Sequence, residues 1–205
     1  MEYVLEHLRS SGASDVVLCT GHLGHVVEQY FGTGKRLGMR LRYSREPMPR
    51  GTAGALKLAE PMLEGERWLV LNGDSFFAIN LQLLWEEHTR SAALATLALA
   101  RVADARRYGS VEIGPGQQIR SFLEKQAVRG PALVNGGVYV IERALLRLIE
   151  PDRAVSLEHE IFPEIVGEQL HGLPANGLFV DIGMPDDYLR VRNRPNLLRS
   201  FVRPS

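Results

Sequence analysis

Two carboxylates occupy the same kind of place in this sequence. Asp74 closes Trp68-Leu69-Val70-Leu71-Asn72-Gly73, and Asp181 closes Leu178-Phe179-Val180 just before Ile182-Gly183. A short run of large apolar residues that stops at a glycine reads as a buried strand. In an open α/β sheet, ligands gather beyond the carboxyl ends of such strands. A carboxylate at that point, beside a glycine that lets the backbone come close, suits a divalent cation carrying phosphate oxygens. Mg²⁺ takes a few carboxylates and fills its remaining positions with substrate phosphates and water. The plainer reading of Asn72-Gly73-Asp74 is a turn with solvated side chains. For Asp181 it is a turn or cap carboxylate, since Pro185-Asp186-Asp187 look like a helix start with acids near its positive end.

The other candidates are individually weak. Glu124-Lys125 closes the apolar stretch Ile119 to Leu123. A lysine there could hold an anionic oxygen as a point charge, but an exposed Glu-Lys pair is the commoner fate of such a dipeptide. Tyr108-Gly109 and Asn135-Gly136-Gly137 are glycine-bearing strand entries where a ligand could approach the backbone; glycines of this sort are more often bulge or turn residues. Glu46-Pro47-Met48-Pro49-Arg50-Gly51-Thr52 leads into a helix whose first N–H groups favour an anion or a base edge. A Thr52 N-cap explains the same residues. His22 and His25 have no cysteine or acid to complete a zinc set. Neither a Gly-x-Ser-x-Gly elbow nor a Walker-type loop occurs.

Composition narrows the class. The chain has 205 residues, 45% hydrophobic and 23% charged, which fits one globular domain with a sizeable core. Twenty-four basic residues balance 24 acidic ones, so no charge bias argues for nucleic acid or a membrane surface. The single cysteine, Cys19, excludes an internal disulfide and is compatible with a reducing cytoplasm. No signal peptide or bilayer-length apolar run is present; Ala92 to Ala100 is apolar but bracketed by Arg90 and Arg101.

The elements that must position these residues alternate. The patterning predicts a helix over Glu2–Ser10, a strand over Asp15–Cys19 and a helix carrying Val26, Val27, Tyr30 and Phe31. A half-exposed strand Met39–Tyr43, a helix from Gly51 to Leu63, the Trp68–Leu71 strand and a helix Leu81–Arg90 follow. That order implies parallel strands with helices on both faces. Beyond Ala92 the strands Thr96–Val102, Ser110–Ile113, Ile119–Leu123 and Val134–Ile141 come close together, as an antiparallel or mixed extension. Helices over Arg143–Ile149 and around Leu157–Gly167, a strand Leu178–Asp181 and a helix Asp186–Val191 complete a single domain over 1–194. Residues 195–205 read as a tail.

Taken in order, Glu46–Gly54, Asn72-Gly73-Asp74, Tyr108-Gly109, Glu124-Lys125, Asn135-Gly136-Gly137 and Asp181-Ile182-Gly183 resemble the motifs of the sugar-1-phosphate nucleotidylyltransferases. The likeness is greatest to the D-glycero-α-D-manno-heptose 1-phosphate and mannose-1-phosphate guanylyltransferase branch. It runs over nearly the whole chain, to about Arg190. The resemblance implies a Rossmann-like α/β/α sandwich with a mixed central sheet. It also implies transfer of a nucleoside monophosphate from an NTP to a sugar 1-phosphate, with release of pyrophosphate. Asp74 and Asp181 would then hold Mg²⁺ and Lys125 would grip the sugar phosphate. Gly109, Glu124, Asn135 and Gly137 would line the sugar pocket, with Asn72 and Gly73 beside them, while Glu46, Gly51 and Thr52 would meet the base. A carboxylate accepts the N–H donors on the Watson–Crick edge of guanine, so Glu46 leans the choice toward GTP.

One part of the family pattern is absent. The family opens with a buried strand, a glycine-rich loop ending in Gly-Thr-Arg and a Pro-Lys-Pro segment, whereas this chain begins at Met1-Glu2-Tyr3 in the helix that follows them. The expectation is a fragment of a longer enzyme. It would bear unpaired backbone groups beside Val16–Leu18 and Leu69–Leu71, bind NTP poorly and tend to associate with itself. A non-catalytic sugar-phosphate-binding or regulatory module is the alternative. A glycosyltransferase is a more distant one, since no Asp-x-Asp follows the central strand.

Overall fold

A computed structural model of the chain describes residues 1–106, 108–123, 130–183, 185–194, 196–199 and 201. The elements begin with α1 (Glu2–Ser10), β1 (Asp15–Thr20), α2 (Gly24–Phe31), β2 (Arg40–Arg45), α3 (Gly51–Ala59), β3 (Arg67–Leu71), β4 (Ser75–Phe77) and α4 (Leu81–Ser91). There follow β5 (Ala95–Val102), β6 (Ser110–Ile113), β7 (Gln118–Leu123), β8 (Ala132–Glu142), α5 (Phe162–Glu164), β9 (Gly167–Ala175), β10 (Phe179–Asp181), α6 (Pro185–Asn193) and α7 (Asn196–Arg199). The larger sheet runs β3-β8-β5-β9-β7-β6; only β5 and β9 pair in parallel within it, so the sheet is mixed.

The two-residue alternation of strands places the core on both sides of this sheet. Leu97 and Leu99 of β5, with Tyr139 and Ile141 of β8, face one hydrophobic layer together with α3 residues Ala53 and Leu56 and with Leu157, Ile161 and Phe162. Ala98, Ala100, Val138 and Val140 face the other, against Val4, Leu5 and Leu8 of α1 and Leu81 and Leu84 of α4. The result is an α/β/α sandwich. It also explains the Ala92 to Ala100 run: β5 is the strand buried on both faces, so every side chain from Ala95 to Ala100 is apolar or small.

The sheet is divided. β1 pairs in parallel with β2 alone, β3 pairs with β8 alone, and β4 with β10 forms a third small ladder. Among the described residues β1 and β3 therefore each present one edge without a strand partner.

Several parts of the sequence reading need correction: the Arg143–Ile149 helix is a 3₁₀ stretch over Arg143–Leu148, and β3, expected among parallel strands, pairs antiparallel with β8. The helix expected to reach Gly167 ends earlier. A π-helical turn over Leu157–Ile161 runs into α5, and Gly167 opens β9, a strand with no counterpart in the reading. Glu168, Gln169, His171, Gly172 and Pro174 disguise it. Gly172 is required by packing: a Cβ there would meet Leu99 Cδ1 at 2.5 Å and Ile119 Cγ1 at 3.2 Å. The helix expected over Gly51–Leu63 stops at Ala59 and continues only as a 3₁₀ turn, Glu60–Met62, containing Pro61.

Candidate active site

The two carboxylates are brought together by the smallest ladder. β4 and β10 run antiparallel with Ser75 opposite Asp181, and the Ile182 N–H donates to the Asp74 carbonyl at 2.9 Å. Gly183 turns the chain beside them, its N–H donating to Asp181 Oδ1 at 2.9 Å. A Cβ on Gly183 would lie 3.0 Å from Asp181 Oδ1 and 3.8 Å from Asp74 Oδ2. The missing side chain thus leaves a cradle within reach of an oxygen from each carboxylate, and these oxygens fit a hard divalent cation. No cluster of three or more His, Cys, Asp and Glu side chains suited to a metal exists among the described residues. Two carboxylates leave most coordination positions to phosphate and water, which is the Mg²⁺ pattern. The Met1 ammonium lies near Asp74: burial pushes its pKa down, while the charges of Glu2 and Asp74 oppose the shift.

Behind this pair stands a hydrogen-bonded network that links three of the motifs. The Asn72 N–H donates to the Gly137 carbonyl at 2.9 Å, and Asn135 Oδ1 accepts from the Gly137 N–H at 3.0 Å. Gly137 has φ +69°, and a Cβ on it would lie 2.5 Å from Ser75 Oγ and 3.2 Å from Asn72 Nδ2. Both facts demand glycine. Asn135 Nδ2 donates to the Tyr139 hydroxyl at 2.8 Å, which in turn donates to Glu158 Oε1 at 3.1 Å. The other carboxylate oxygen, Oε2, accepts from Thr52 Oγ1 at 2.6 Å and from Ser156 Oγ at 3.0 Å. Burial first, and the Glu158 charge second, hold the Tyr139 pKa well above the usual phenol value, so this hydroxyl keeps its proton and serves as a donor.

The segment leading into α3 is built differently from the sequence reading. Glu46 Oε2 accepts from the Arg50 N–H at 3.0 Å, fastening the Pro47–Pro49 loop back on itself. Gly51 has φ +68°, and a Cβ there would come within 2.5 Å of the Val155 carbonyl oxygen. That carbonyl accepts from the Ala53 and Gly54 N–H groups at 3.0 and 3.2 Å. These two amides are therefore satisfied within the chain and are not open to an anion. Thr52 is not the N-cap either: Arg50 holds that place without a side-chain cap. The Thr52 hydroxyl accepts from the Leu157 N–H at 2.8 Å while it donates to Glu158.

Tyr108 and the buried Gly109 enter β6 next to β10. The Tyr108 ring packs on Phe179 with centroids 5.5 Å apart, and its hydroxyl reaches Asp187 Oδ2 of α6 at 3.5 Å. Glu124 and Lys125 lie outside the described residues; β7 ends at Leu123, immediately before them. Asp74, Asp181, Asn72, Gly73, Asn135, Gly137 and Thr52 thus belong to one connected region. Tyr139 and Glu158 are the members that the sequence reading missed. Tyr139 looked like a core aromatic in an apolar strand. Glu158 follows Ser156, which caps its turn by accepting from the Glu158 and His159 N–H groups at 3.2 and 3.1 Å. The Ser-x-Glu spacing signals a helix start, but nothing local signals a partner on α3 or β8.

An α/β/α sandwich with an acid pair at the ends of two strands is the frame of a nucleotidyl-transferring enzyme. The chain belongs to the nucleotidyl transferase family, whose pattern it matches over residues 1–195, and within it to the sugar-1-phosphate nucleotidylyltransferases. It is 32% identical over 193 residues to the D-glycero-alpha-D-manno-heptose 1-phosphate guanylyltransferase of Aneurinibacillus thermoaerophilus, covering 94% of this chain and 83% of that protein. It is 31% identical over 205 residues to the mannose-1-phosphate guanylyltransferase of Mycobacterium tuberculosis, covering 98% of this chain but 56% of that one. The chain thus spans only about half the length of this second relative. The crystal structure of HddC from Yersinia pseudotuberculosis has the same fold, with a TM-score of 0.83 at 24% identity over 94% of this chain and 84% of that one.

Proposed function

We infer that the site is shaped for transfer of a nucleoside monophosphate, GMP in preference to others, from an NTP to a sugar 1-phosphate. The observation that carries this reading is the convergence of Asp74 Oδ2 and Asp181 Oδ1 on the space beside Gly183. The printed names of the curated relatives, guanylyltransferases for heptose 1-phosphate and mannose 1-phosphate, support the choice of base and acceptor. The sugar phosphate is already an anion at neutral pH. Its oxygen attacks the α-phosphorus of the NTP, a P–O bond forms to the sugar phosphate, and the bond to the leaving pyrophosphate breaks. No general base is needed, and catalysis rests on positioning and charge neutralisation.

The chain's own residues fit those tasks. Asp74 and Asp181 would hold Mg²⁺, which when bound supplies positive charge to the phosphate oxygens. Asn135, Gly137, Gly109 and Glu124 are assigned to the sugar ring, and Lys125 is assigned to its phosphate. Asn72 and Gly73 present backbone close to the same space. Glu46, Gly51 and Thr52 are assigned to the base; the hydrogen bond from Arg50 leaves Glu46 Oε1 as the acceptor for a guanine edge. We assign the activity to the cytoplasm.

The alternative, a sugar-phosphate-binding module without turnover, is favoured by the edges of β1 and β3 that have no strand partner among the described residues. Pyrophosphate release from GTP and mannose 1-phosphate with Mg²⁺, assayed beside a version extended upstream, decides between them. Release by either version supports the enzyme. Sugar phosphate binding without release by either supports the module.

A further inference from the structure

A cleft of about 470 Å³ opens on the far side of α3, bordered by Arg50, Lys57 and Glu60 and, across it, by Arg143 and Asp152. That volume lies in the range of small-ligand sites. The Arg50 side chain is only 13% exposed, and its Nε is buried with no hydrogen-bond partner. Its Nη1 donates to Asp152 Oδ1 at 2.8 Å, a single-pronged contact. Asp152 is 83% exposed and is held with φ +59°, in the left-handed region that costs a non-glycine residue energy. An exposed carboxylate, on a backbone conformation that aspartate adopts more readily than most residues, thus supplies a partner to a largely buried guanidinium.

Arg143 is held still more loosely. Its polar contacts are long, to Glu60 at 3.6 Å, Glu66 at 3.5 Å and the Gly65 carbonyl at 3.4 Å, and its guanidinium lies over the Trp68 ring with 5.6 Å to the centroid. Lys57 is committed elsewhere: its Nζ lies 3.0 Å from Glu60 and donates to the Leu146 carbonyl at 3.1 Å. Lys57 therefore shares Glu60 with Arg143, and two guanidinium groups border one cleft. Planar forks of this kind match the oxygens of a phosphate two at a time.

We propose that this cleft is a second anion site, distinct from the carboxylate pair, that accepts a phosphate monoester between Arg50 and Arg143, with Asp152 as the intramolecular stand-in that the ligand displaces. Occupancy has a path to the base segment. The Val155 N–H donates to the Arg50 carbonyl at 2.8 Å, the Val155 carbonyl holds Ala53 and Gly54, and Leu157 holds Thr52. A ligand that frees Asp152 changes the anchoring of the loop that carries Ser156 and Glu158.

The test is calorimetric titration of the full chain with inorganic phosphate and, separately, with methyl phosphate. Saturable binding is expected, weakened about 10-fold or more by Arg143→Met, the loss of one charge-assisted contact. Asp152→Asn should tighten binding several-fold, because the competing charge is removed; asparagine tolerates the left-handed backbone, so the loop keeps its shape. Tighter binding of methyl phosphate points to an organic ester as the occupant, and equal binding points to free phosphate; both support the site. No saturable binding would overturn the proposal. So would binding that neither substitution alters, since the anion would then sit elsewhere.

Discussion

Asp74 and Asp181, 107 positions apart in the chain, flank a single glycine: the Cβ that Gly183 lacks would sit 3.0 Å from one carboxylate and 3.8 Å from the other. The β4–β10 ladder makes this possible by setting Ser75 opposite Asp181, so each acid leaves its strand at the same end of the small sheet. A substituted Gly183 would fill the space that the proposed cation needs.

Glu158 ties Thr52, assigned above to the base, to the Tyr139–Asn135 side assigned to the sugar, and its removal should be felt on both. Glu158→Ala leaves the fully buried Tyr139 hydroxyl without its acceptor and removes the acceptor of the Thr52 hydroxyl, which keeps its bond from the Leu157 N–H. A loss of about 1–3 kcal/mol of stability is expected from the orphaned donor, with weaker binding of sugar 1-phosphate. Urea unfolding and calorimetry measure the two effects. Wild-type values for both would contradict the assigned role.

Gly51 and Gly65 separate two costs of a side chain. Both have positive φ, +68° and +80°, but a Cβ on Gly51 meets the Val155 carbonyl whereas one on Gly65 meets open space. Gly65→Ala should cost about 1 kcal/mol and Gly51→Ala about 2–3 kcal/mol or more, since backbone must move. Denaturant midpoints of the two variants give the comparison.

Stability should fall as the pH drops below about 6.5, the ordinary histidine value. His88 is 1% exposed, with Nδ1 2.9 Å from Thr96 Oγ1 and Nε2 3.1 Å from Glu142 Oε1. Burial lowers its pKa, outweighing the opposite pull of Glu142. The unfolded chain therefore takes up a proton before the folded one does. Each such histidine can contribute a slope of up to about 1.4 kcal/mol per pH unit between its unfolded and folded pKa values, and none above 6.5. Urea unfolding at pH 7.5 and 5.5 checks the trend, and His88→Gln should flatten it.

The edges of β1 and β3 should drive association. Unpaired strand edges recruit other strands, so sedimentation velocity should show species larger than the monomer growing with concentration. A strict monomer throughout would show that these edges are covered.

What could be read from the sequence follows from how local each cause is. Ala95–Val102 announces itself because burial on two faces demands an apolar run; Asp15–Thr20 and Arg67–Leu71 are legible from their short apolar runs, although both strands are only partly buried. The acid–glycine endings of two strands were legible for the same reason. β9 was not, because Gly172 and Pro174 are set by what packs around them and not by strand propensity. The Thr52–Glu158–Tyr139 chain was equally hidden, since its partners are 106 and 19 positions apart. The Val155 carbonyl that occupies the Ala53 and Gly54 amides of α3 is likewise remote in sequence, so nothing local shows that these two are closed to an anion.

The most direct test of the central claim is a Mn²⁺ titration followed by electron paramagnetic resonance, with mannose 1-phosphate present. Wild-type chain should bind one ion, and Asp74→Asn or Asp181→Asn should each weaken that site by two orders of magnitude or so, the loss of several kcal/mol of ligation. Undiminished Mn²⁺ binding in either variant would contradict a cation shared by the two carboxylates.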